Sequence, residues 1–238
     1  MPLFMLNDKA DFPPAAWAGK EGILALGGDL SPRRLLHAYG RGIFPWYSAG
    51  EPILWWSPDP RFIIFPAEFH VSRSLHKILN KKIFHLTFDR AFSEVIDGCA
   101  RPRLDQNGTW ITAEMRQAYV RLHMLGYAHS LEAWQDGELA GGLYGVSLGR
   151  CFFAESMFHL KSNASKVVLF ALSRILKKMG FILIDCQVYS PHLAGWGARP
   201  IPRREYLKLL RRGLAYKTLR GSWQKLLLAE LVSVAGLL

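Results

Sequence analysis

The chain has 238 residues, and half of them are hydrophobic, which is enough for one large domain or for a small domain joined to a larger one. Lys and Arg number 30 against 19 Asp and Glu, and this net charge of +11 favours a polyanionic partner such as nucleic acid or an anionic membrane surface, with solubility as the alternative explanation. The three cysteines lie far apart without a CxxC pair, which argues against a zinc site or a disulfide framework and for a reducing compartment.

Neither end of the sequence predicts targeting or membrane insertion. The first residues include Asp8 and Asp11 and lack an apolar run after basic residues, unlike a signal peptide. The late apolar stretch, 226–238, contains Glu230 and is too short to span a bilayer. We therefore expect a cytoplasmic protein with no membrane partner.

The first part of the chain combines a capped helix with a stiff aromatic segment. Ser31-Pro32 predicts a helix start, and Gly40 is expected to end that helix in a left-handed conformation. Residues 44–61, FPWYSAGEPILWWSPDPR, follow; proline fixes φ and drives the preceding residue to extended conformations. Such a segment suits either a stacking platform for flat groups or a structural corner. After Arg61 the proline-rich aromatic segment gives way to ordinary alternating strands and helices, so we predict a small domain over 1–62 and a larger one over 63–238.

The larger part alternates strands and helices in an α+β order. The predicted strands are 61–65, 84–88, 128–135, 138–146, 151–157 and 181–187; the predicted helices are 72–80, 112–126, 164–179 and 202–212. Asp136-Gly137 is a strong hairpin signal. The last strand is apolar on both faces until its end and is expected to be central. By analogy at the level of fold, this order is that of an acetyltransferase-like (GNAT-like) core.

Two familiar chemistries fit the sequence poorly. Ser147 lies in a GxSxG match, and Asp185 and His192 follow in the order of a serine hydrolase triad. However, a strand is predicted after Gly149, where the nucleophile elbow needs a helix. A CoA enzyme would need a Gly-rich phosphate loop; Lys161 and Lys166 could hold a phosphate, but no such loop is present.

Polar residues at two predicted strands form the better candidate site. Alternation places Asp185 and Gln187 on one face of their strand, so the carboxylate could hold the amide NH2 and turn the amide oxygen outward. A solvated strand end is the simpler interpretation of that pair. Glu155 lies among apolar residues on the neighbouring strand, where a charge needs a partner or a function.

Two basic clusters suit backbone phosphates, although a solvated helix face explains each equally well. The first comprises Arg73, Lys77, Lys81 and Lys82, and the second comprises Arg199, Arg203, Arg204, Lys208, Arg211 and Arg212.

Taken together, the sequence resembles the leucyl/phenylalanyl-tRNA–protein transferases. The resemblance covers Gly22 to Tyr206 and rests on the runs GILALGGDLSP, AYGRGIFPWY, ILWWSPDPR, GTWIT, GGLYGV, FFAESMF, NASK, LIDCQ and PRREY. It implies a small N-terminal domain on an acetyltransferase-like domain. It also implies transfer of Leu or Phe from Leu-tRNA or Phe-tRNA to the α-amine of an acceptor protein that begins with Lys or Arg, which marks that protein for degradation. No cofactor or metal is implied.

The resemblance also implies roles for individual residues. Trp46 and Trp110 would hold the 3′ adenosine of the tRNA, with Tyr39, Tyr119 and Glu155 nearby. The pocket for the transferred side chain would comprise Leu143, Met157, Leu172, Leu176 and Ile184. Arg73, Lys77, Lys81 and Lys82 would contact tRNA phosphates.

We expect Asp185 and Gln187 to be the catalytic pair, with Asp185 polarising Gln187 and the amide oxygen of Gln187 orienting the attacking amine. Trp55 and Trp56 are expected at a packed joint between the two domains. The chain departs from the family run HLASLGA at Gly195 and Trp196, which bears on the acceptor range. A serine hydrolase and a non-catalytic RNA-binding module remain the alternatives.

Overall fold

A computed structural model describes residues 3–7, 11–102 and 109–226 of the chain. The described residues do not include Asp8, nor residues 227–238 of the late apolar stretch, among them Glu230. The strands are β1 (Phe4–Leu6), β2 (Ile23–Gly27), β3 (Phe44–Pro45), β4 (Leu54–Trp56), β5 (Arg61–Ile64), β6 (His85–Phe88), β7 (Ala128–Gln135), β8 (Glu138–Leu148), β9 (Cys151–His159), β10 (Leu183–Asp185) and β11 (Arg199–Ile201). The helices are α1 (Pro32–Gly40), α2 (Arg73–Leu79), α3 (Phe92–Ala100), α4 (Ala113–Met124), α5 (Ala164–Lys178), α6 (Pro191–Ala194), α7 (Arg203–Leu214) and α8 (Trp223–Leu226).

The strands β1 to β4 form a small sheet in the order β1-β2-β4-β3. Trp55 is fully buried in this sheet, packs edge-on against Phe12 and donates from Nε1 to the carbonyl of Gly27 at 2.9 Å. Helix α1 starts as expected, because the Ser31 hydroxyl accepts from the backbone N–H of Arg34. The prediction that Gly40 takes the left-handed conformation is wrong: Gly40 is the last helical residue, and Gly42 has a φ of +75°.

The second sheet has seven strands in the order β11-β5-β10-β9-β8-β7-β6. The short strand β10 lies inside it, parallel to β9 and antiparallel to β5, which confirms the expected interior position. It is shorter than the predicted 181–187, because the chain leaves the sheet after Asp185. The predicted hairpin forms at Asp136-Gly137, with φ values of +53° and +81°.

Helices cover both faces of the large sheet, and side chains alternate between the two resulting cores. Phe152 faces α2 and α5, whereas its neighbour Phe153 faces the side of α1, α3, α4 and α7. The α+β prediction is therefore confirmed, and the GNAT-like core and the division into two domains remain predictions. Strand β5 begins at Arg61, so the large sheet includes residues just before the predicted boundary at 62. Among the described residues, no helix is long and apolar enough to cross a bilayer.

Candidate active site

The site opens where two parallel strands separate. Strands β9 and β10 pair from Cys151–Leu183 to Phe153–Asp185, after which β10 ends and β9 continues. Gln187 has a φ of +57°, so the backbone after β10 bends instead of extending the sheet. The chain that leaves β10 and the unpaired side of β9 therefore line a pocket of about 290 Å³. Crevices outside the carboxyl ends of strands are common ligand sites in α/β sheets.

The pocket combines an aromatic side, an apolar side and a few polar groups. Its lining residues are Phe44, Pro45, Trp46, Cys99, Arg101, Thr109, Trp110, Leu143, Ala154, Glu155, Ser156, Met157, Leu169, Cys186, Gln187, Val188, Ser190 and Leu193. Of the residues expected at the site, Trp46, Trp110, Leu143, Met157, Glu155 and Gln187 are therefore brought together.

A β-bulge places Glu155 in this pocket. Tyr144 on β8 pairs with Ser156, but the next residue, Gly145, pairs with Ala154, so Glu155 is the extra residue of β9. Bulges bend a strand and redirect a side chain. Gly145 permits the close approach, because a Cβ atom there would lie 2.2 Å from the carbonyl oxygen of Phe153.

The carboxylate of Glu155 accepts from two donors, one in the chain after β10 and one on α4. Gln187 donates from Nε2 to Oε1 at 3.1 Å, and the Tyr119 hydroxyl donates to Oε2 at 2.9 Å. The Tyr39 hydroxyl lies 2.5 Å from that of Tyr119 and extends the chain of hydrogen bonds to α1. Tyr39 and Tyr119 are fully buried and do not line the pocket, so they support Glu155 from behind.

Burial raises the pKa of Glu155 to about 7, because the charged form loses solvation. The hydroxyls of Tyr39 and Tyr119 act against this rise, Asp185 adds to it, and Arg61 acts against it. Burial also raises the pKa values of both tyrosines well above their ordinary value, so their hydroxyls stay protonated and remain donors.

Asp185 does not hold the side chain of Gln187, and this part of the expected arrangement is wrong. The carboxylate of Asp185 accepts two bonds from Arg61, at 2.8 Å from Nε and 2.7 Å from Nη2, and one from the Tyr206 hydroxyl at 2.7 Å. Its link to Gln187 is to the backbone N–H, at 3.0 Å. Glu155, and not Asp185, therefore orients the amide of Gln187.

Arg61 was not identified as a site residue, although it is fully buried. Its guanidinium lies between the rings of Phe44 and Tyr206, 4.7 and 4.6 Å from their centroids. Burial would lower the pKa of Arg61, but the adjacent Asp185 raises it above its ordinary value. The signal was available: a lone charge opening the apolar strand RFIIF needs a buried partner, by the same reasoning that selected Asp185.

The three tryptophans of residues 44–61 differ in their exposure to solvent. Trp46 is 39% exposed and lines the pocket. Trp56 supports it directly, with its ring 5.4 Å from that of Trp46 and its Nε1 donating to the Trp46 carbonyl at 2.6 Å. Trp55, in contrast to Trp46 and Trp56, is fully buried, and it contacts Phe12 and the carbonyl of Gly27. The expectation that Trp55 and Trp56 lie at a joint between two domains stays a prediction, and Trp56 has in addition a direct contact with the pocket residue Trp46.

Three residues expected around the transferred side chain do not line the pocket. Leu172, Leu176 and Ile184 are fully buried in the core between α5 and the sheet. Leu169, one helical turn before Leu172, reaches the pocket instead, together with Cys186 and Leu193. The correct helix was identified, but its pocket-facing turn lies nearer the N-terminus.

Of the two residues that differ from the family run, Trp196 belongs to the core and Gly195 lies at the surface. Trp196 is buried and stacks on Phe69 at 5.9 Å, whereas Gly195 is exposed.

The hydrolase alternative is wrong. Ser147 is fully buried inside β8, its Oγ has no hydrogen-bond partner among the residues that the structure describes, and it lies outside the pocket lining. Asp185 is bound to Arg61 and Tyr206, and His192 is exposed on α6. Of the lysines considered for a phosphate, Lys166 donates to the side chain of Asn163 at 2.9 Å. Within the described ranges, no group of three or more His, Cys, Asp or Glu residues could hold a metal ion.

The two basic clusters differ in their exposure to solvent and in their pairing. Arg73, Lys77, Lys81 and Lys82 are exposed on α2 and the turn after it, and none forms an ion pair with another described residue. In the second cluster, Arg199 pairs with Glu68, and Arg203 donates to the carbonyls of Ser57 and Ala16. Those two arginines are therefore already used within the fold.

Comparison with known proteins matches almost the whole chain to one family. Residues 63–211 match the family model described as leucyl/phenylalanyl-tRNA protein transferase, and residues 28–59 match that of its N-terminal domain. Curated relatives carrying the name leucyl/phenylalanyl-tRNA–protein transferase include those of Syntrophus aciditrophicus (59% identical; 94% of each chain) and Myxococcus xanthus (54%; 94% of this chain and 97% of the relative). The solved structure of L-PGS from Bacillus licheniformis is 12% identical and covers 90% of this chain and 72% of its own, with a TM-score of 0.37, which is too low to support a shared fold.

Proposed function

Because the chain belongs to the leucyl/phenylalanyl-tRNA protein transferase family, we propose that it moves Leu, Phe or Met from aminoacyl-tRNA to the α-amine of proteins that begin with Lys or Arg. Such a transfer would mark the acceptor for degradation. The observation that supports this proposal is the pocket itself, where aromatic rings, an apolar wall and a carboxylate bonded to an amide lie together.

Each part of the aminoacyl-adenosine has a matching surface in the pocket. Trp46 and Trp110 offer flat faces on which the adenine can stack. Leu143, Met157 and Leu169 offer an apolar wall for a side chain that is not branched at Cβ, such as that of Leu, Phe or Met. The unbranched thioether of Met157 adapts to Leu, Phe and Met alike.

The main requirement of this reaction is that the protein orients the two reacting groups. An aminoacyl ester is already activated, and an α-amine with a pKa of about 8 is partly neutral at neutral pH. Holding the amine against the ester can therefore supply most of the rate, without a covalent enzyme intermediate. Gln187 suits this role: its Nε2 is engaged by Glu155, so its amide oxygen is left to accept a hydrogen bond from the amine.

In this proposal Asp185 acts on the reaction indirectly, through the position of Gln187. It anchors the backbone N–H of Gln187 while Arg61 neutralises its charge. It is fully buried and does not line the pocket, so it is a positioning residue and not a group that meets the acceptor. Glu155 is the acidic group available to an N-terminal Lys or Arg among the described lining residues.

The tRNA body needs a second contact outside the pocket. The exposed cluster of Arg73, Lys77, Lys81 and Lys82 suits backbone phosphates, and the net charge of +11 favours the same partner.

The test is transfer of radiolabelled Leu from Leu-tRNA to a protein with N-terminal Arg, with and without RNase, beside the same protein with N-terminal Glu. We expect labelling of the Arg protein alone, abolished when RNase acts first. Tight binding to tRNA with no transfer to either acceptor would instead support the RNA-binding module and refute the proposal.

A further inference from the structure

We propose that Glu155 is the base that accepts the proton of the attacking α-amine and delivers it to the departing 3′ oxygen of the tRNA. This inference rests on the proposed function and assigns its proton transfer to one residue. Gln187 then positions the carboxylate and the amine and does not itself take a proton.

The geometry of the carboxylate supports the assignment. Oε1 accepts one bond from Gln187, and Oε2 accepts one from Tyr119. A carboxylate oxygen has two lone pairs, so each retains the capacity for one further bond. The β9 bulge turns the side chain into the pocket, beside the apolar wall proposed for the amino acid.

Other groups near the site are poorer proton acceptors. An amide oxygen such as that of Gln187 accepts hydrogen bonds but is a very weak base. Asp185 is enclosed by Arg61 and Tyr206 and is fully buried. Among the described residues that line the pocket, Glu155 is the only carboxylate.

The charge environment of Glu155 also suits proton transfer at neutral pH. Burial raises its pKa to about 7, close to the optimum for a base that works near pH 7. The groups that face it are the hydroxyls of Tyr39 on α1, Tyr119 on α4 and Tyr144 on β8, with Asp185 and Arg61 behind Gln187.

The proton balance of the step is complete. The amine lone pair attacks the ester carbonyl carbon and forms the C–N bond, and the nitrogen passes one proton to the Glu155 carboxylate. The C–O bond to the ribose breaks with its electron pair on the 3′ oxygen. Glu155 returns the proton to that oxygen, so the products are an amide and a free hydroxyl and the carboxylate is regenerated.

Single-turnover transfer from Phe-tRNA, measured between pH 5.5 and 9 in the full-length protein, tests the assignment. General-base catalysis contributes about 100-fold or more, so Glu155→Gln should lower the rate constant by about that factor. Below pH 7 the wild-type protein should show a slope of log rate against pH of about two, because both Glu155 and the acceptor amine must lose a proton before the reaction. In Glu155→Gln the slope should be about one, because only the amine still has to lose a proton. Glu155→Asp should keep a slope of about two with a smaller loss of rate.

Glu132 provides a matched control. It lies on β7, burial raises its pKa to about 7, and its partners are Ser130 and Thr87, but it does not line the pocket. Glu132→Gln should leave the slope unchanged. Binding of an amide-linked phenylalanyl-adenosine, which cannot react, should change by only a few-fold in Glu155→Gln.

Three results would overturn the assignment. They are a Glu155→Gln rate within a few-fold of wild type, a reduced rate that keeps the wild-type slope, and the same loss of slope in Glu132→Gln. A wild-type protein that transfers nothing from Phe-tRNA or Leu-tRNA would refute the proposed function itself, and the two failures are therefore distinguishable.

Discussion

Replacing Asp185 with Asn should cost the protein much of its stability, because the substitution leaves a buried arginine without its counter-charge. Arg61 and Asp185 are joined by two hydrogen bonds of 2.8 and 2.7 Å, and both side chains are fully inaccessible to solvent. Removing one member of such a pair destabilises a protein by about 3–5 kcal/mol. The Asn amide keeps only one acceptor oxygen for Arg61, and one hydrogen bond to a charged group contributes only about 1.5–3 kcal/mol, so the neutral amide cannot compensate fully.

Urea unfolding at pH 7, followed by far-UV circular dichroism, measures the effect. The matched control is Arg116→Met, which breaks the Arg116–Asp97 pair, whose side chains are 38% and 52% exposed. That exposed pair should contribute about 0–1 kcal/mol. The double variant Arg61→Met/Asp185→Leu should recover much of the lost stability while transfer stays impaired, because Gln187 has lost its backbone anchor. A single Asp185→Asn variant within about 1 kcal/mol of wild type would refute the reasoning.

The remaining predictions concern stacking, tRNA contacts and pH. Trp46→Ala should raise KM for Phe-tRNA while unfolding stays unchanged, whereas Trp55→Ala should destabilise by about 3–5 kcal/mol; the reverse pattern would contradict their assignments. Lys77→Ala/Lys81→Ala should weaken tRNA binding, measured by filter retention, and reduce its log–log salt slope by about one to two; an unchanged slope would remove both from the contact surface. The pKa of Glu132 is raised to about 7, so the native state binds a proton that the unfolded state has released, and stability should fall as pH rises from 4.5 to 7. Between pH 5 and pH 8, the loss in the free energy of unfolding measured with urea should be smaller in Glu132→Gln than in wild type, by up to about 3 kcal/mol. An equal loss in the two proteins would contradict the raised pKa of Glu132.

Local sequence signals located elements well where a single residue type dictates the backbone. Asp136-Gly137 formed the hairpin, and Ser31, Ser72 and Thr112 each accept a backbone N–H at a helix start. The small sheet was not predicted, because strands of two to five residues are too short to show periodicity.

The sequence identified many residues of the site but not the hydrogen bonds and strand register that join them. Asp185 finds its partner in Arg61, 124 residues away, and no local pattern reveals such a pairing. The prediction that Asp185 and Gln187 share a face assumed a continuing strand, but Gln187 is left-handed. Glu155 was noticed as a charge among apolar residues, whereas the bulge that places it in the pocket depends on its register with β8.

The most direct test of the account is a crystal structure with the amide-linked phenylalanyl-adenosine that cannot react. We expect the adenine between Trp46 and Trp110, the phenyl ring against Leu143 and Met157, and the carbonyl carbon beside the carboxylate of Glu155. An analogue bound outside this pocket, or one whose amino acid points away from Glu155, would contradict the account.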